Sequence, residues 1–221
     1  MKKIDKKQNK ILDIIQKSGH NHHLAVADFL IENDWEVEVG SYYTDPITKK
    51  PREIDIIAKK KFGINKSFDE DSVTLRLIIE CKKIDAEHVL WFRQKDMSKA
   101  NKFAKNNVVL RHESLSDKDS HYLNNVEVMK LVGKTGNADP FYDSMNGCIN
   151  ALIFYKYFIA ENKNNILDIP LIILDSFAYV YKYDVNMVES CAKVNNCFQM
   201  EVDYSYENLD GQFKLETFFI D

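Results

Sequence analysis

A mixed α/β domain is the fold class this sequence predicts, on three observations. Two segments with helical spacing of apolar residues open the chain. Three segments with strand character follow. A long helical pattern then gives way to further strands, an alternation that calls for a sheet covered by helices. Residues 1–221 show no repeat, no low-complexity tract and no composition shift, so they read as one domain, long enough for a sizeable core.

Residues 2–18 carry Ile4, Ile11, Leu12, Ile14 and Ile15 on one side of a helix, with Gly19 as a stop. A second helix spans about 21–33, with Leu24, Ala27, Leu30 and Ile31 as its apolar face. From 35 to 43 the chain alternates as a strand does, Trp35, Val37 and Val39 against Glu36 and Glu38, and Asp45-Pro46 marks a turn. Residues 53–59 form the next strand, with Ile54, Ile56 and Ala58 on one face. A polar link over 61–72 leads to a third strand, 73–82. It is nearly continuously apolar from Leu75 to Ile79, apart from Arg76, which predicts a central strand buried on both faces.

Residues 86–105 read as a helix, with Val89, Phe92, Ala100 and Phe103 on one side and Lys95, Lys99 and Lys102 on another. The polar segment 111–125 reads as a surface loop. Asp139-Pro140 offers an N-cap and a first-turn proline for a helix running to about 162, which buries Phe141, Met145, Cys148, Ile149 and Leu152. Strands over 169–174, 177–181, 198–204 and 213–220 close the chain and are expected to complete the sheet. Asp210-Gly211 suits the turn between the last two, and Phe213, Phe218 and Phe219 read as core.

Composition narrows the function classes. No apolar run approaches the roughly 18 residues of a membrane span, and the basic N-terminus leads into an amphipathic segment rather than a secretory signal. Cys81, Cys148, Cys191 and Cys197 form no CxxC pair, which disfavours zinc; free thiols in a reducing cytoplasm are the expectation. A net charge of −4 argues against a histone-like coat of basic charge, while a local basic face around an acidic site would still suffice for phosphate contacts.

One constellation carries chemistry. Residues i and i+2 of a strand share a face, so Glu80 and Lys82 are neighbours at the end of the buried third strand. The preceding strand holds Asp55 inside an apolar run, and antiparallel pairing would bring it beside Glu80. Mg²⁺ takes oxygen ligands, usually one or two carboxylates with water and phosphate oxygens. Asp55 and Glu80 would supply the carboxylates and the Cys81 carbonyl a third oxygen. Lys82 would orient an attacking water, act as the catalytic base and stabilise charge developing at phosphorus. The Cys81 thiol is expected on the opposite, buried face.

Asp55 in Arg52-Glu53-Ile54-Asp55-Ile56-Ile57-Ala58, followed about two dozen residues later by Leu77-Ile78-Ile79-Glu80-Cys81-Lys82-Lys83, resembles the two motif strands of the PD-(D/E)xK nuclease superfamily. The likeness extends over residues 20–105. The resemblance implies a restriction-endonuclease-like αβββαβ core: a mixed central sheet flanked by helices, here extended by C-terminal strands. On this reading 1–19 is an N-terminal helix, 20–105 the catalytic half of the core, and 126–221 the remainder.

It also implies hydrolysis of phosphodiester bonds in DNA with Mg²⁺, or Mn²⁺ as substitute, in a restriction, phage-defence or repair role. A homodimer is a further implication, since two strands need two sites. Many relatives carry a Glu on the helix before the first strand; that slot falls near His23, within His20-Asn21-His22-His23, and makes His23 an accessory ligand candidate. The proline of the family name is replaced by Ile54.

Simpler readings stand beside these. Asp55, Glu80 and Lys82 would also make a salt bridge at a sheet end, although the matched pattern favours function. Lys83, Arg93, Lys95, Lys99 and Lys102 are candidate DNA contacts, against a solvated helix face. Tyr42, Tyr43 and Trp91 are more simply packing residues than base-stacking ones. The rival functions are a decayed nuclease-fold protein that binds nucleic acid or a protein without cutting, an RNA-processing enzyme, and an acid–base hydrolase unrelated to nucleic acid.

Overall fold

The computed structural model describes residues 6–63, 72–107, 127–134, 140–157, 166–184, 191–194, 197–208 and 210–221. The expected surface loop at 111–125 and the Asp139 cap lie outside these residues. Among the described residues there are four helices, and ten strands form two mixed sheets. No helix among them is long and apolar enough to cross a membrane.

Helix α1 (Lys6–Lys17) ends at Gly19, whose φ of 73° lies in the left-handed region that glycine enters without a Cβ penalty. Its Ile11, Leu12, Ile14 and Ile15 are exposed. Helix α2 (His20–Glu32) buries Ala27 and Leu30 and packs Val26 beside them. Leu24 and Ile31, expected on the buried face, are exposed instead. The stripe that meets the sheet passes through His23, Ala27 and Leu30, which lie at i, i+4 and i+7.

Strands β1 (Glu36–Thr44) and β2 (Pro51–Gly63) make an antiparallel pair. Asp45 closes the turn between them by accepting from the N–H groups of Ile47 and Thr48 at 2.8 and 2.9 Å. Strand β3 (Ser72–Lys82) runs antiparallel to β2 and parallel to β6 (Ile166–Leu174), giving the order β1-β2-β3-β6. β3 is thus interior, as its apolar run predicts.

Arg76, the basic residue within that run, is buried opposite Asp168. The guanidinium donates to both carboxylate oxygens, at 2.6 and 3.1 Å, and sits 4.8 Å from the Tyr155 ring.

Helix α4 (Pro140–Tyr157) buries Phe141, Cys148, Ile149 and Leu152. It belongs to a different core cluster from α2. Ile57 and Ile78 pack with α4, whereas Ile56, Ala58, Ile79 and Cys81 pack with α2. The two helices therefore cover opposite faces of the first sheet. The first sheet and the two helices on it follow in the order α2, β1, β2, β3, α4 and β6, with a strand–helix–strand segment of the chain intervening between β3 and α4.

The segment between β3 and α4 departs from the sequence expectation. Residues 86–105 are not one helix. His88–Gln94 is strand β4, then α3 spans Met97–Asn107 and β5 spans Glu127–Lys134. His88, Leu90 and Phe92 are buried and Val89 and Trp91 less so, a period of two that the helical reading overlooked.

β5 was not foreseen, nor was β8 (Cys191–Lys193). Strand β7 (Val180–Asp184) starts three residues later than expected, and β9 (Gln199–Glu207) and β10 (Phe213–Ile220) form the final hairpin. Gly211 lies in the turn between them, with φ 74°.

These C-terminal strands do not extend the first sheet. Only β6 joins it; the others combine with β4 and β5 in a second sheet, β10-β9-β5-β4-β7-β8. One hydrophobic cluster runs from Ile57 and Ile78 through α4 to Leu90, Val128 and Phe219 of the second sheet. Phe218 and Phe219 are buried there, but Phe213 is exposed because it starts its strand beyond the cluster.

Candidate active site

The last paired step of the β2–β3 ladder sets Ile56 opposite Ile79. One residue further along stand Asp55 and Glu80. Here the side chain of Asp55 takes over the hydrogen bonding: its Oδ2 accepts the Cys81 backbone N–H at 2.7 Å. The N–H and C=O of a strand residue leave on the same side, so the Cys81 carbonyl is also turned toward β2. Consistently, the carbonyl of Lys82 faces the other way and accepts from Asp175 N–H beyond the end of β6.

Glu80 is 6% exposed and pairs with Lys82, whose Nζ lies 2.9 Å from Oε2. On its other side the carboxylate lies against Gly147 of α4, where an added Cβ would clash with it. Tyr43, buried on β1, donates its hydroxyl to the Gly147 carbonyl at 3.4 Å. Burial raises the Glu80 carboxyl to about 7, against the pull of Lys82, with Asp55 and Asp143 pushing the same way.

Burial also works against the charge on Lys82. The Glu80 and Asp55 carboxylates outweigh it, and the net shift is upward. A lysine so held keeps its proton and presents a charged donor beside Glu80. Cys81 packs into the α2 cluster as expected. Its thiol is pushed up to about 12 by burial, with Asp55 and Glu80 adding to the shift, so it stays neutral.

His23 points from α2 toward the same strand ends, its Nε2 3.6 Å from Asp55 Oδ2. Its neighbour His22 contacts the Ile173 carbonyl at 3.2 Å, and His20 packs edge-on against His23. Of the three histidines, His23 is the one beside Asp55, at the slot counted back from Val26 and Leu30.

The basic stripe is broken. Lys95 precedes α3, is buried, and donates to Gln199. Lys99 pairs with Asp203 at 2.9 Å and reaches Glu201 at 4.0 Å. Lys83, Arg93 and Lys102 are exposed. Trp91 packs beside Tyr183, Tyr43 is buried, and Tyr42 is exposed.

The donor set suits a hard cation. Asp55, Glu80 and the Cys81 carbonyl stand at the adjoining ends of β2 and β3, and Mg²⁺ is commonly held by one or two protein carboxylates with water and phosphate oxygens. No group of three or more His, Cys, Asp or Glu gathers as a metal cage among the described residues.

Gly147 was not singled out from sequence. Its only signal there is a glycine inside an otherwise well-formed helix, which usually has a packing reason. Comparison of the chain with protein-family models, with curated proteins and with solved structures gives no match.

Proposed function

We propose that this protein is a metal-dependent nuclease of the restriction-endonuclease-like type, with Asp55, Glu80 and Lys82 as its catalytic group and DNA as its substrate. The observation that carries the reading is the hydrogen bond from the Cys81 N–H to Asp55. It ties the aspartate strand to the middle of the Glu80-Cys81-Lys82 tripeptide, where such chemistry needs it. The αβββαβ order of the first sheet and its helices supports the same assignment.

Mg²⁺, held by Asp55, Glu80 and the Cys81 carbonyl, would supply Lewis-acid polarisation of the phosphodiester and a more acidic attacking water. The remaining work falls to the chain. Lys82 presents a charged donor to the developing negative charge at phosphorus and orients the water. His23 steadies Asp55. Glu80, raised to about 7, would have to be ionised to serve as a ligand.

Incubating the protein with supercoiled, linear and single-stranded DNA, and with RNA, in Mg²⁺ or Mn²⁺ tests the proposal. DNA cleavage abolished by EDTA, by Lys82→Ala and by Asp55→Ala is expected. Cleavage of RNA alone would reassign the substrate. Binding without cleavage would favour a nuclease-fold protein that does not cut, and release of a small non-nucleotide product only would favour a hydrolase unrelated to nucleic acid; either would overturn the nuclease reading.

A further inference from the structure

Away from the Asp55 site, a cavity of about 190 Å³ opens between the two sheets. Its walls are large and apolar: Phe141 at the start of α4, Leu174 at the end of β6, Phe177 three residues beyond it, Phe198 just before β9 and Met200 within it. Protein interiors are packed nearly as densely as organic crystals, so a gap of this size between aromatic walls is unusual. The walls are held by their own contacts. Phe198 packs edge-on against both Phe92, at 5.7 Å, and Phe177, at 6.5 Å, so the space is formed in advance of any occupant.

Among the described residues, Asp221 is the one carboxylate of the lining. Its main chain is pinned to β6, donating to the Pro170 carbonyl and accepting from the Ile172 N–H. Its side chain is aimed by a buried polar chain. Lys95 donates to the Gln199 oxygen, which forces the Gln199 amide nitrogen toward Asp221, where it donates to Oδ1 at 2.6 Å. Gln199 is fully buried and Lys95 nearly so. A carboxylate offers about four acceptor positions, and this one bond leaves capacity for a ligand donor.

We infer that this cavity is a binding site for a small aromatic molecule bearing a protonated amine, its ring between the apolar walls and its ammonium on Asp221. An apolar pocket with a few placed polar groups is the usual form of a small-molecule site. A cavity of about 150 Å³ accepts a benzene ring, so this one admits a ring with a short arm. The Asp221 carboxyl is raised by burial, partly offset by Gln199 and Lys95, and an ammonium would relieve that burden. The inference does not depend on the nuclease reading.

2-Phenylethylamine is the probe, with 3-phenylpropionate as a control of the same body and opposite charge. Two readouts report on the walls: the NMR signal of the Met200 methyl group, and the alkylation rate of Cys197, an exposed free thiol in the lining. The amine is expected to shift the Met200 signal saturably, to slow Cys197 alkylation, and to bind at least tenfold more tightly than the carboxylate. Asp221→Asn should remove that preference while leaving the ring site. Leu174→Phe, which fills the space and keeps the Met200 reporter, should abolish both effects, and Met200→Trp should abolish the slowing of Cys197 alkylation. Absence of a saturable shift with the amine, or equal binding of amine and carboxylate to the unmodified protein, would overturn the inference.

Discussion

The Glu80 carboxylate lies so close to Gly147 that a Cβ built on the glycine would stand 2.8 Å from its Cδ, and nearer still to Oε1. Alanine normally stabilises a helix interior over glycine by about 0.5–1 kcal/mol. At Gly147 the sign should reverse. Gly147→Ala is expected to destabilise by about 1–3 kcal/mol through overpacking and to abolish Mg²⁺ binding by displacing Glu80. Urea denaturation and titration calorimetry measure the two effects. In a Glu80→Ala background the same substitution should become neutral or stabilising; if it remains as costly there, the clash is not with Glu80.

Glu80 also sets a pH dependence. Its carboxyl is raised from 4.5 to about 7 in the folded chain. Below pH 4.5 both folded and unfolded chains hold the proton. Between 4.5 and 7 only the folded chain does, so this residue's contribution to stability falls as pH rises, by a total on the order of 3 kcal/mol. The stability difference between wild type and Glu80→Gln should shrink or invert across that window. Mg²⁺ affinity should move the other way, rising from pH 6 to 8 with release of a proton. A flat Mg²⁺ affinity over that range would mean that Glu80 is not a ligand.

His23 approaches Asp55 at 3.6 Å from α2. Groups that steady a metal-ligating side chain typically contribute about 10–100-fold in affinity or activity. His23→Ala should therefore lower cleavage or Mg²⁺ affinity by that factor while leaving the denaturation midpoint within experimental error. His23→Gln should recover part of the loss. Unchanged kinetics would reduce the histidine to packing.

Arg76 and Asp168 form a two-bond ion pair inside the first sheet, with side-chain exposures of 3% and 8%. Removing one partner strands the other charge, so Arg76→Met or Asp168→Leu alone should cost about 3–5 kcal/mol. The double substitution should cost far less than the sum, because no unpaired charge remains. Additive costs in a denaturation cycle would show that the pair is not the source of the effect.

Much of the first sheet was legible in the chain because its elements are locally determined. Alternation at Trp35, Val37 and Val39, the apolar run from Leu75 to Ile79, and the turn at Asp45-Pro46 each reflect short-range chemistry. So does the pairing of Glu80 with Lys82, since i and i+2 on a strand share a face wherever that strand lies. The second sheet was hidden for the opposite reason. The segment 88–94 is apolar enough to suit a helix or a strand, and its partners, β5 and β7, lie far away in sequence. Only long-range pairing resolves that choice.

By itself, the sequence determined which side chains are available for chemistry and which local geometry each strand imposes on them. Tertiary structure decided what surrounds them. It buried Glu80 against Gly147, turned the Cys81 N–H onto Asp55, and withdrew Lys95 and Lys99 into contacts with Gln199 and Asp203. The physical reason is that desolvation and charge partnership depend on which elements pack together, and residues dozens of positions apart do not announce that meeting in their spacing.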